Sequence, residues 1–380
     1  MTCPTALTGG TIVRPDRTLS DGTLTIVGER IESVGTPRRP PSVADTVDVS
    51  GHYVMPGLVD IHGDDIERYL FPRPEEQVPA ETALRASDRA ALAAGVTTKF
   101  HALAFEDAPE ERRSIEVARQ LAETIRLRRS CIDARIHARC ELGESASVAA
   151  VTDLLSDGDA DLVSVMTHTG EGQYDSPDAL GNRYEPRGGG DDGGVTEIVR
   201  SRAGVSKQTL ASRRKAVVAA AERAGVPVAS HDDVDADAVD GAAGHGVDIC
   251  EFPLTMAAAR RAAELDLPVV MGAPNLVRGG SLWDNLDART ALDAGLVDVF
   301  CSDFRSRTLL QSAFVETGEP LHERVNRVTS APTSAVGLDD RGRLDPGQRA
   351  DILVVDPEPT PTVARAFVGG AELYRFDHGG

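Results

Sequence analysis

The chain predicts an α/β fold: a (β/α)8 barrel with a small β-sandwich domain formed by both chain termini. Three observations carry this expectation. Eight apolar β-type runs alternate with Ala/Arg/Glu-rich helical runs through the middle, which is the pattern of a parallel sheet. Both ends are instead rich in short alternating strands with turn signals. Most of the central runs also finish in a histidine or an acid, where barrel active sites form.

In order along the chain, "GGTIVRPDRTLSDGTLTIVGERIESVG" reads as short strands between Ala6 and Val34, and the tail from Gly342 repeats that texture. The central β-type runs begin at Val54, Val96, Arg135, Leu162, Pro227, Val247, Pro268 and Val297. Helical candidates between them include "ASDRAALAAG", "RSIEVARQLAETIRLRR", "RRKAVVAAAERAG", "AAARRAAELD" and "RTALDAG". An open doubly wound sheet is the rival, and the first run lacks the GxGxxG turn that would favour it. The expected division is residues 1–55 with 335–380 for the composite domain and 56–334 for the barrel. Gly170 to Gly204, with "RGGGDDGG" inside, breaks the rhythm after the fourth run; it reads either as a lid or as a disordered insertion.

A formal charge of -20, with Lys only at 99, 207 and 215, repels nucleic acid and anionic membranes. Such acid excess also suits a very salty cytoplasm, where screening makes self-repulsion tolerable. The expected result is a higher melting temperature in molar KCl than in low salt; equal stability in both would count against that habitat. No run is long enough to cross a bilayer, and the N-terminus lacks a basic region followed by an apolar block, so a cytoplasmic chain is expected. The five cysteines contain no CxxC pair, which argues against a disulfide framework or a zinc ribbon.

The run ends point to a metal. The first finishes in His62 and Asp64, the third in Glu141, the fourth in His168, the fifth in His231 and the eighth in Asp303. Strand period two puts His62 and Asp64 on one face. A single histidine at a strand end is usually a hydrogen-bonded structural residue. Six ligand-type residues at five matching ends instead form the donor set that divalent metals take. Two ions are expected, Zn, Mn or Fe, with Glu141 able to bridge them. His101 and His137 fall short of their strand ends and read as core or supporting residues.

With "MPGLVDIH", Asp303 and the "RLDPGQRADILVVDP" tail, the chain resembles the amidohydrolase superfamily. "PGLVDIHGDDIERYLFPRP", "RCEL", "ASHDD", "EFPLT", "MGAPNLVRGGS" and "CSDF" resemble, more narrowly, the α-D-ribose 1-methylphosphonate 5-triphosphate diphosphatase family of the carbon–phosphorus lyase pathway. Members of that family have HxD where most amidohydrolases have HxH, and a Glu in place of a modified lysine. Asp65 stands where family members usually have Asn, and Thr167 where they usually have Asp. The resemblance implies release of diphosphate from a triphosphate ester, with Asp303 as general base, metal ligand or both.

A polyanionic substrate needs local positive charge in so acidic a chain. The expected substrate-binding residues are Arg68 and Arg73 after the first strand, Asn275, Arg278, Gly279 and Gly280 in the segment after the seventh, and Arg305 after Asp303. Two rivals remain: another amidohydrolase reaction such as cyclic amide hydrolysis or deacetylation, and a catalytically dead scaffold. The expected partner is a small phosphorylated molecule, and a homodimer is the default assembly.

Overall fold

The protein is described by a computed structural model covering residues 4–36, 45–73, 76–108, 112–167, 202, 204–282 and 285–376. Two eight-stranded sheets organise it. The first takes β1 (Thr5–Val13), β2 (Thr18–Val27), β3 (Arg30–Gly35), β4 (Asp45–Asp48) and β5 (Tyr53–Pro56) from the N-terminal end. From the other end come β14 (Ile352–Asp356), β15 (Thr362–Val368) and β16 (Ala371–Arg375). They join in the order β16-β15-β14-β5-β1-β2-β3, with β4 paired to β1. Ile31 on β3 and Phe367 on β15 belong to the same apolar cluster as Leu7, Leu24, Val54 and Ile352. The sheet therefore curls around its own core, and the two chain ends depend on each other for burial.

The second sheet holds β6 (Leu58–Gly63), β7 (Val96–Phe105), β8 (Asp133–Glu141), β9 (Leu162–Met166), β10 (Val228–His231), β11 (Ile249–Glu251), β12 (Val269–Gly272) and β13 (Val299–Cys301) in sequence order. All neighbouring pairs are parallel. A parallel bridge between Gly63 and Asp303 closes the ring. There the Asp303 amide donates to the His62 carbonyl at 2.9 Å and the Asp64 amide to the Asp303 carbonyl at 2.7 Å. Val59, Ile61, Phe100, Leu162, Ala229, Ile249, Val270 and Val299 fill the interior, so the barrel is a packed core with its chemistry at one rim.

The helical candidates fold as helices, several of them closed by side-chain caps. Ile115–Leu127 starts at Ser114, whose side chain accepts from the Val117 amide. Lys207–Ala224 starts at Ser206 and ends at Gly225 in the left-handed region. Among the described residues no helix is long and apolar enough to cross a membrane.

One expectation is corrected. The run from Val54 to His62 is two strands: β5 pairs with β14 and β1 in the terminal sheet, and only β6 belongs to the barrel. The break falls at Gly57, whose amide donates to Asp351 at 2.9 Å. A Cβ at Gly57 would lie 2.1 Å from Thr97 Oγ1, so only glycine lets the chain pass there. Hydrophobic patterning does not register this break, because both strands are buried.

Candidate active site

The ends of the barrel strands surround a cavity of about 430 Å³, with His62, Asp64, His231, Asp232, Phe252, Gly272 and Asp303 in its lining. Asp232, Phe252 and Asp303 all hold positive φ, at 62°, 54° and 52°. Such backbone is costly for residues other than glycine and concentrates at functional sites. Here it lets the ends of β10, β11 and β13 turn their side chains inward.

His62 is the centre of the arrangement. Its Nδ1 is 2.8 Å from Glu251 Oε1, and its ring lies 5.0 Å from His137, 5.7 Å from His231 and 5.0 Å from Phe252. Among the described residues, two sets of ligand-type atoms fall within 4.8 Å of one another: His62, His137 and Glu251, and His62, Asp64 and Asp303. His62 is common to both. His137 anchors its Nδ1 on the Ile61 carbonyl at 2.9 Å, which makes Nδ1 the proton-bearing nitrogen and leaves Nε2 a lone pair. That Nε2 and Glu251 Oε2 are buried without a hydrogen-bond partner. Buried polar atoms left in this state cost free energy unless a cation or water takes them. Imidazoles and carboxylates with unused lone pairs therefore fit a divalent cation.

Electrostatics separates the carboxylates. Burial pushes Glu251 up, but His62, His137 and His231 outweigh it and bring it down to about 2. Burial likewise opposes ionisation of Asp64, yet Arg113 and Arg139 hold it well below the usual range. Asp303 is pushed up to about 6 by burial, with Asp64 adding to the rise against His62. Two carboxylates of one cluster thus differ in their hold on a proton, the arrangement that acid–base work uses.

Burial pushes His137 down to about 3 from its ordinary 6.5. The unfolded chain gains this proton near pH 6.5 while the fold refuses it, so stability is full above pH 6.5 and falls as pH drops toward 3. Metal-free protein should lose on the order of 2–3 kcal/mol from this group between pH 6.5 and 4.5. His137→Asn should flatten that slope in urea titrations; an unchanged slope would remove His137 as its source.

The structure brings His62, Asp64, His231 and Asp303 to one cavity. Glu141 ends β8 fully buried, with Oε1 accepting from the Gly143 amide at 2.7 Å, and belongs to neither ligand set. His168 and nearly all of the Gly170 to Gly204 segment lie outside the described residues. Lys99 is no bridge: its Nζ sits 2.5 Å from Asp65 and 3.0 Å from Ser87 Oγ, fully buried. Asp65 in place of the expected Asn is thereby explained as the counter-charge of Lys99.

Of the expected substrate-binding residues, Arg68, Asn275 and Arg278 line the cavity, while Arg73, Gly279, Gly280 and Arg305 do not. The glycine amides are already used, both donating to the Asn275 carbonyl at 3.1 Å as a helix cap. Asn275 itself spends its side chain on the Leu286 carbonyl and the Ala288 amide, tying down the cavity wall. Arg73 and Arg305 are exposed.

Sequence reading missed Glu251, Arg113 and Arg139, and it placed His137 as a core or supporting residue. Glu251 had a usable signal, since it ends the sixth strand as Glu141 ends the third.

No family model matches the chain. It is 29% identical over 320 residues to the α-D-ribose 1-methylphosphonate 5-triphosphate diphosphatase of Escherichia coli (strain K12), spanning 82% of this chain and 85% of that protein. This chain is a relative of that diphosphatase. The motif resemblance and the alignment therefore point to the same protein. Among solved structures, a Xaa-Pro dipeptidase with bound methionine superposes with a TM-score of 0.67 at 18% identity, covering 98% of this chain and 100% of the other. A D-hydantoinase from Bacillus sp. AR9 gives 0.63 at 16%, covering 98% and 95%. An amidohydrolase gives 0.64 at 19%, covering 98% and 99%. This chain thus shares its fold with these solved structures.

Proposed function

We propose that the chain is a metal-dependent hydrolase that releases diphosphate from α-D-ribose 1-methylphosphonate 5-triphosphate. The observation that supports this most is the combination of histidines and acids with four arginines, Arg68, Arg113, Arg139 and Arg278, on one cavity wall system. A neutral cyclic amide has no use for four guanidiniums; a triphosphate does. The reaction adds water across a phosphoric anhydride: a water oxygen bonds to phosphorus, the bridging P–O bond breaks, and diphosphate leaves.

Divalent cations held by His62, Asp64, His231 and Asp303, with His137 and Glu251 behind them, would supply Lewis-acid activation of water and neutralise developing oxygen charge. The protein's own contribution is orientation. Glu251 fixes the His62 ring. Asp303, whose carboxylate lies within 4.8 Å of the ligand-type atoms of His62 and Asp64, is placed to accept the water's proton. The arginines balance the substrate's charge within a chain of net charge -20.

The deciding experiment combines metal analysis with diphosphate release from a panel of ribosyl triphosphates. Turnover of hydantoins or dihydroorotate without diphosphate release would favour the cyclic-amide rival. Arg278 is exposed and its Nη2 donates to the Gly280 carbonyl at 2.5 Å. Arg278→Ala should raise KM by about 10-fold, the loss of one charge-assisted contact. Stability should stay within about 0.5 kcal/mol. An unchanged kcat/KM would take Arg278 out of the site.

A further inference from the structure

We infer that Arg113 and Arg139 form a paired-guanidinium site for a phosphate group, and that Asp64 is the residue that positions them. This rests on the proposed function only for the phosphorylated nature of the ligand.

The two arginines reach the same carboxylate from different elements. Arg139 lies on β8 and donates through Nη1 to Asp64 Oδ2 at 2.6 Å. Arg113 precedes the cap of the helix Ile115–Leu127 and donates through Nη2 to Asp64 Oδ1 at 2.6 Å. Both side chains line the cavity and are nearly buried, at 10% and 6% exposure. Burying two guanidiniums side by side opposes folding unless they are balanced.

The donor arithmetic also favours a ligand. A guanidinium carries five N–H groups in a fixed fork. Arg139 commits Nη1 to Asp64, and its Nε is buried without a hydrogen-bond partner. Asp64, with two oxygens, can hold both forks at once and set the angle between them. It lies within 4.8 Å of Asp303 and His62 through ligand-type atoms. A phosphorus placed for attack beside Asp303 would thus present its non-bridging oxygens to the arginine pair. Two further acids flank Arg113: Glu67 at 3.7 Å, pushed up to about 7 by burial, which weakens its competition with an anion, and Glu106 at 3.6 Å, which Arg202 also holds at 3.3 Å.

The test uses the full chain loaded with Mn, with inorganic diphosphate as probe, read by calorimetric Kd and by metal per chain. Arg113→Met and Arg139→Met should each raise the diphosphate Kd about 10-fold or more while metal content stays at the wild-type value. If the Met variants fail to fold, Arg113→Lys and Arg139→Lys keep the charge beside Asp64 and lose only the fork; they should raise Kd about 3-fold or more. An unchanged Kd in the Lys variants, or a weakened Kd that follows loss of metal, overturns the inference. Diphosphate binding that depends on these arginines, with no diphosphate released from any ribosyl triphosphate, would sink the proposed activity and leave this site standing.

Discussion

His62→Ala is expected to abolish turnover, with kcat/KM falling at least 10³-fold, and to remove bound metal. The residue belongs to both sets of ligand-type atoms in the barrel mouth, so no single-sided rearrangement can replace it. Its loss would also strip Glu251 of its 2.8 Å partner. A buried carboxylate left without its partner typically costs about 3–5 kcal/mol, so the variant should melt well below the parent. His62→Gln, which keeps a donor near Glu251, separates the two effects: stability should partly return while metal content and activity do not. Normal activity or normal metal content in either variant would defeat the assignment.

Asp303→Asn is expected to act in the opposite way on stability. Turnover should drop by roughly 10³-fold, the contribution of a positioned acid–base group with ligand loss added. The fold should tolerate the change, because Asn accepts the positive φ of 52° at this position. Burial beside Asp64 raises the Asp303 carboxyl to about 6 in the fold against 3.8 outside it. The native state therefore binds the extra proton between those values, and stability falls as pH rises from about 4 through 6. At pH 7 the metal-free Asn variant should be the more stable protein, by on the order of 1–3 kcal/mol. A destabilised metal-free variant at pH 7, or one that still turns over, would show that Asp303 plays a different part.

Most of the scaffold is legible without coordinates. The eight strand starts follow apolar β-type runs, and helix starts follow Ser114, Ser206, Thr255 and Asp287, whose side chains each accept from a backbone amide of the first turn. Local hydrogen bonding and burial set these features, and both leave a residue-type signature. The split at Gly57 is different in kind. It depends on how closely Thr97 approaches from the neighbouring strand, a distance that no pattern within residues 54–62 encodes.

The active site divides along the same line. His62, Asp64, His231 and Asp303 announce themselves because a barrel sends strand-end side chains to one mouth, so their position along the strand is their position in space. His137 does not sit at a strand end, yet a ring turned by the Ile61 carbonyl places it against His62. Gly279 and Gly280 illustrate the reverse error, since a Gly-rich turn resembles an anion cradle until its amides are found capping a helix.

Residue order was enough for the barrel, the sheet shared by the two chain ends and the meeting of His62, Asp64, His231 and Asp303 at one cavity, because periodicity and strand-end placement are one-dimensional properties. Tertiary structure alone decided that Asp64 sits between Arg113 and Arg139, that Lys99 answers Asp65, and that Glu251 orients His62. Those pairings are separated by 34 to 189 positions in the chain and depend on which charges burial forces together, a condition that only the folded interior imposes.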